Sequence, residues 1–158
     1  QVGFKYVAPK MISDDALIGG EESSGFGFRG HLPERDGILA GLYFLDLMNK
    51  LKKTPSQLID YLYSKVGPHH YHRLDLEFPH ADRDKIISNL TNKMPSQIAD
   101  SEVARVSTID GFHFSLADGS WLLFRFSGTE PILRIYAEAS TLQRAETLVN
   151  AGRTILGV

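Results

Sequence analysis

In the stretch "FRFSGTEPILRIYAEA" (124–139), Arg125 lies two residues before Ser127, and Arg134 follows on what reads as the next strand. These types at this spacing suit the gripping of an oxyanion. Each guanidinium offers a planar pair of N–H donors that matches two phosphate oxygens. Ser127 and Thr129 add hydroxyl donors, and Gly128 lets backbone N–H groups approach a ligand without a side chain in the way. Alternation along the last strand sets Arg134, Tyr136 and Glu138 against Leu133, Ile135 and Ala137, so Arg134 is expected on the polar face. A loop folded back on itself would bring both arginines over it. Glu130 would repel a phosphate that it faced, so it is expected to turn away or to brace an arginine. On residue types alone, a hairpin turn with two surface arginines fits equally well.

A second loop lies about a hundred residues upstream. "GEESSGFGFRGHLPERDG" (20–37) holds five of the chain's fourteen glycines, its opening one included. Glu21 can accept hydrogen bonds from two neighbouring hydroxyls and Ser23 can donate or accept, a set that suits a hexose; a solvated acidic loop is the plain alternative. His31 and Arg35 in the tail of the loop are further candidates. Arginine, with a pKa above about 12, is a poor general base but stabilises developing negative charge. His69, His70 and His72 invite a metal reading, yet their spacing suits no helix face and only His70 and His72 would share a side of a strand. No Cys or carboxylate cluster completes a set, so solvated loop histidines are expected and no metal ligand is assigned.

The elements that must position these residues fall into two textures. Up to Gly67 the pattern is helical, with one strand in "DALIGG" (15–20) feeding the glycine-rich loop. A helix follows Asp36 as N-cap, apolar on nearly every face until Asn49. Another runs over "TPSQLIDYLYSKVG" (54–67), with Thr54 as cap, Pro55 in the first turn and Gly67 as stop. The turn at 67–70 marks the boundary, giving units 1–67 and 68–158. Beyond it, strands are expected at 73–78, 102–110, 112–116, 120–126 and 132–139, with turns at Asp110-Gly111 and Asp118-Gly119. Helices are expected at 82–94 and after a Ser140/Gln143 capping box. The second unit is therefore α+β, an antiparallel sheet with two helices packed on one face. The first is an incomplete α/β unit, because a lone strand makes no sheet and an apolar helix needs one to cover.

The two loops, taken in order, resemble those of the α-D-phosphohexomutases: the phosphoglucomutases, phosphomannomutases and phosphoglucosamine mutases. "RFSGTEP" with Arg134 and "YAEA" resembles the phosphate-binding loop of that family's last domain, and "GGEESSGFGFRGHLPERDG" its sugar-recognition loop at the end of domain three. The resemblance runs from "VGFKY" to the closing helix. It implies a TATA-box-binding-protein-like fold for 68–158, and the tail of the third domain for 1–67. It also implies phosphate contacts from Arg125, Ser127, Gly128, Thr129 and Arg134, and sugar contacts from Glu21 and Ser23. Glu22 stands where phosphomannomutase-like members often carry Met and glucosamine-type members Gln, so "GEES" looks like the glucose-preferring version, with mannose left open. Some relatives place a basic residue at the Arg35 position.

The family works through a phosphoserine, a Mg²⁺-holding aspartate loop and a bisphosphorylated sugar such as glucose 1,6-bisphosphate. This sequence has neither a Thr-Ala-Ser-His-Asn-like motif nor an Asp-x-Asp-x-Asp loop, and "DRD" (82–84) has the form of a helix start. The resemblance therefore implies a C-terminal part of a mutase, catalytically silent alone, whose partners are a phosphorylated hexose and the N-terminal domains of the same enzyme. A stand-alone sugar-phosphate-binding module is the second reading, and a purely structural domain the third.

The totals narrow the field further. The 158 residues are 42% apolar and 23% charged, with a formal charge of −2, so no global basic field recruits nucleic acid or an anionic membrane. Any anion site must be a local arrangement. The absence of cysteine fits a reducing cytoplasm, and no apolar run approaches the roughly 20 residues of a membrane helix.

Overall fold

The structure is a computed structural model that describes residues 2–21, 23–78, 80–92, 94–128 and 130–157, with His80 described by its backbone only. The chain divides into two units, residues 1–65 and 66–158.

In the first unit, helix α1 (Phe4–Ser13) buries Phe4 and Met11, two turns apart on one face. That face meets an antiparallel hairpin of β1 (Ile18–Gly20) and β2 (Phe26–Phe28), in which Gly19 pairs with Gly27. A Cβ on Gly19 would collide with the Met11 thioether, and one on Gly27 would come within 2.8 Å of the Phe4 ring. The glycine pair thus lets the helix lie directly on the hairpin backbone. The sequence reading of a lone strand at 15–20 is corrected here: "FGF" pairs with it, although three residues around a glycine carry no alternation to signal a strand. Helix α2 (Gly37–Leu51) starts where the Asp36 carboxylate accepts the Leu39 N–H at 2.9 Å, and ends at Lys52 in the left-handed region. None of its residues is buried, and Ile38 is 81% exposed. Helix α3 (Pro55–Val66) opens on a reciprocal cap: the Thr54 N–H donates to Gln57 Oε1 at 2.9 Å, and the Gln57 N–H to Thr54 Oγ1 at 3.4 Å.

The second unit is built on β3 (His70–Glu77), α4 (Arg83–Asn92), β4 (Gln97–Ile98), β5 (Ser101–Ser107), β6 (Phe112–Leu116), β7 (Trp121–Phe126), β8 (Ile132–Ala139) and α5 (Leu142–Leu156). The strands form one antiparallel sheet in the order β3-β8-β7-β6-β5-β4. Alternation sends Phe112, Phe114, Leu116, Leu122, Phe124, Leu133, Ile135 and Ala137 to one face, where α4 and α5 add Leu90, Ala145, Leu148 and Val149 to a continuous core. Gly152 brings α5 close to the sheet, since a Cβ there would meet Ile135 Cγ2 at 3.0 Å. The sheet with helices on one face is the α+β arrangement that the alternation predicts.

Three local readings change. Strand β3 starts at His70, so His70 and His72 are strand residues and not loop histidines. The short strand β4 carries no signal beyond Ile98, which is 1% exposed. The cap of α5 is Thr141, whose Oγ1 accepts the Arg144 N–H at 3.2 Å; β8 runs to Ala139 and leaves Ser140 as the link. No described helix is long and apolar enough to cross a membrane.

Candidate functional site

Strands β7 and β8 deliver the two arginines in register. Arg125 and Arg134 are direct cross-strand partners, on the face opposite the core. Like charges directly opposite one another on neighbouring strands are destabilising unless a negative charge lies beside them. The connection between the strands folds back tightly. The Ser127 N–H donates to the Ile132 carbonyl at 2.8 Å, and the Glu130 N–H donates to Ser127 Oγ at 3.3 Å. Ser127 is buried at the corner, whereas nothing lies within 4 Å of the position a Gly128 Cβ would take. The space over Gly128 is therefore open to a ligand. Thr129 lies outside the described residues. Glu130 braces an arginine, with its Oε2 3.4 Å from Arg134 Nη2.

Support for the clamp comes from β3. Asp75 is the register partner of Arg134, and its Oδ2 lies 3.8 Å from Arg134 Nε. The Arg134 side chain is only 20% exposed, and its buried Nε has no hydrogen-bond partner among the described residues. Asp75 itself is held by a two-pronged contact from Arg73, Nε to Oδ1 at 2.6 Å and Nη2 to Oδ2 at 2.5 Å. Hydrogen bonding from Arg73, more than the nearby charge of Arg134, holds the Asp75 carboxyl below its ordinary range. Tyr136, 4% exposed, sits between two guanidiniums, with Arg73 at 5.6 Å and Arg125 at 5.7 Å from its ring centre. Sequence reasoning passed over Arg73, Asp75 and Tyr136 as parts of the site. Alternation places Arg73 and Asp75 opposite Leu74 and Leu76, but only the register of β3 against β8 sets them beside the clamp.

In the first unit, the turn after β1 is closed by hydrogen bonds from the Glu21 N–H to the Gly25 carbonyl at 3.0 Å and from the Ser24 N–H to the Glu21 carbonyl at 3.1 Å. Ser23 is exposed on that turn, while the Glu21 side chain is only 8% exposed. Arg35 reaches back to it, with Nη1 3.4 Å from Glu21 Oε2, an oxygen without a hydrogen-bond partner among the described residues. Gly25 makes this return feasible, since a Cβ there would collide with the Arg35 stem. Arg35 also lies 5.8 Å from the Phe4 ring centre. His31 is separate: its Nε2 is 2.9 Å from Asp36 Oδ2, and the Leu39 N–H and then His31 hold the Asp36 carboxyl low. The structure thus brings Glu21 and Arg35 together and leaves His31 at the α2 cap. Glu22 lies outside the described residues.

Among the described residues, no group of three or more His, Cys, Asp or Glu side chains could hold a metal ion. His69 pairs with Glu138, Nδ1 to Oε1 at 2.9 Å, and this hydrogen bond raises the His69 pKa.

Residues 1–66 match the family model "Phosphoglucomutase/phosphomannomutase, alpha/beta/alpha domain III". Residues 86–153 match "Phosphoglucomutase/phosphomannomutase, C-terminal domain". Over 99% of its length the chain is 31% identical to a phosphoglucomutase/phosphomannomutase of Thermococcus kodakarensis, of which it covers 32%. Over 88% of its length it is 39% identical to a phosphoglucosamine mutase of Methanococcus aeolicus, of which it covers 29%. A solved structure from Thermus thermophilus, described as a phosphomannomutase, superposes over 99% of this chain and 30% of that one with a TM-score of 0.76 at 31% identity. A Burkholderia thailandensis structure at 23% identity and a TM-score of 0.73 shares the fold. The chain spans about a third of the length of these relatives. Two domain models met in order, with the paired arginines on the second, place the chain in the phosphoglucomutase/phosphomannomutase family.

Proposed function

We propose that this chain is the substrate-holding part of a phosphohexomutase that interconverts hexose 1-phosphates and hexose 6-phosphates, with glucose favoured and mannose left open. The observation that carries the reading is the cross-strand pair Arg125 and Arg134 beside the Ser127 corner. Two guanidiniums and the backbone beside Gly128 recognise a doubly charged ester without regard to which sugar carbon bears it. A reaction through a bisphosphorylated sugar needs such a grip on whichever phosphate is not reacting, because fixing it orients the other for transfer.

In this reading Arg125 and Arg134 bind the non-bridging oxygens of the held phosphate, while Ser127, Thr129 and the Gly128 backbone complete the shell. Glu130 is the counterion of Arg134 that the phosphate displaces. Glu21 and Ser23 take sugar hydroxyls, and Arg35 pairs with the Glu21 carboxylate. No proton transfer is assigned to Arg35 or His31. Glucose 1,6-bisphosphate is the bisphosphorylated sugar of this reading. Mg²⁺ would supply charge neutralisation at the transferred phosphoryl group. The described residues offer no cluster to hold it.

Calorimetric titration with inorganic phosphate tests the clamp. Each of Arg125→Gln and Arg134→Gln removes charge-assisted hydrogen bonds worth about 1.5–3 kcal/mol, which corresponds to a loss of tenfold or more in affinity. Wild-type affinity in both variants would exclude the clamp.

A further inference from the structure

Beside the clamp lies a cleft of about 230 Å³, with Arg83, Ile87, Asp110, Phe112, Arg125 and Phe126 among the residues that line it. It adjoins the loop through Phe126, the residue before Ser127. Arg83, on the first turn of α4, lies 5.2 Å from the Phe126 ring centre. On the same ring, Phe78 packs edge-on at 5.4 Å between centroids, and the Phe78 N–H donates to the Pro131 carbonyl at 3.1 Å. The stack of Phe78, Phe126 and Arg83 is therefore tied to both ends of the anion loop. Arg83 is half-buried, and no carboxylate among the described residues lies within ion-pair distance of it. A half-buried guanidinium whose only described partner is an aromatic ring keeps its planar fork of N–H donors for a ligand. Asp110 is the one acid in the cleft, against two arginines, so the local balance favours an anion.

We propose that this cleft is part of the phosphate site and that Arg83 is its third guanidinium, meeting the bound phosphomonoester from the α4 side while Arg125 and Arg134 meet it from the open face of the sheet. The inference rests on the clamp reading above and adds to it a residue, a wall and a direction of approach. Recognition from both sides of the strand end selects a tetrahedral dianion, whose oxygens point to both, over a planar carboxylate. Asp110, across the cleft, disfavours a ligand that carries further negative charge on that side.

The test is a titration of the whole 158-residue chain with inorganic phosphate, read by calorimetry and by the Nε–H resonances of the arginines. Arg83→Gln is expected to weaken binding roughly tenfold, with the melting temperature within about a degree of wild type, because it removes a charge-assisted contact and no ion pair. Arg83→Lys keeps the charge and loses the fork, and is expected to fall between the two. In the wild type, the Arg83 Nε–H signal is expected to shift along the same isotherm as those of Arg125 and Arg134. Unchanged affinity in Arg83→Gln alongside a loss in Arg125→Gln would overturn this inference and leave the clamp standing. Wild-type affinity in Arg83→Lys would reduce the effect to field strength and also overturn the direct contact. Failure of the wild type to bind phosphate would remove both.

Discussion

Arg134 is the residue on which the site turns, because it is flanked on the sheet by a partner of like charge and one of opposite charge. Arg125 faces it from β7, and Asp75 from β3. Asp75 is pre-empted by Arg73, which leaves the Arg134 guanidinium only the exposed Glu130 and a 3.8 Å approach to Asp75. The sequence disclosed the arginines and left Glu130 either to turn away or to brace one of them, and the structure shows it beside Arg134. It hid Asp75, which reaches the site only by strand register across about sixty residues of chain, and it set Tyr136 on the polar face beside Arg134 without marking it as part of the site. The same ion pair gives a pH signature. The folded-state pKa of Asp75 is depressed, chiefly by hydrogen bonds from Arg73, so its contribution to stability is present above the unfolded value near 4 and is lost as pH falls through that value toward the folded one. Asp75→Asn should therefore flatten the melting-temperature profile between about pH 5 and pH 3 relative to wild type. Two superimposable profiles would show that the pair contributes nothing to folding.

At the scale of elements, the β5–β6 connection holds the neighbourhood of the cleft in place through one glycine. Gly111 has φ 97°, and a Cβ there would run into the Phe124 carbonyl oxygen on β7. Gly111→Ala should destabilise the second unit by about 2 kcal/mol or more in urea unfolding, from backbone strain together with the collision. Gly128→Ala, with nothing within 4 Å and an ordinary φ, should change stability by less than about 0.5 kcal/mol. Equal costs at the two positions would refute this account of the turns. The Asp-Gly pair at 110–111 marked the turn in the sequence, and clean alternation gave the bounds of β6 and β8. The two-residue strand β4 and the "FGF" strand β2 were not legible, because each is defined by a hydrogen-bonded partner and not by its own pattern.

On the scale of the whole molecule, a net charge of −2 means that the proposed anion site owes nothing to a global field. It is a local concentration of Arg73, Arg125 and Arg134 on one sheet face, with Arg83 at the strand end. The second unit carries its own core, whereas in the first α2 leaves Ile38, Leu42 and Leu45 exposed, a surface of the kind that other protein normally covers. The apolar character of that helix was plain in the sequence, and so was the need for something to cover it; none of the described residues buries it. The most direct test of the clamp is a nitrogen-15 NMR titration of this chain with inorganic phosphate. The account predicts saturable, single-site shifts at the Ser127 and Gly128 amides and at the Nε–H groups of Arg125 and Arg134, all on one isotherm. Shifts spread evenly over the surface arginines without saturation, or none at the Ser127 corner, would contradict it.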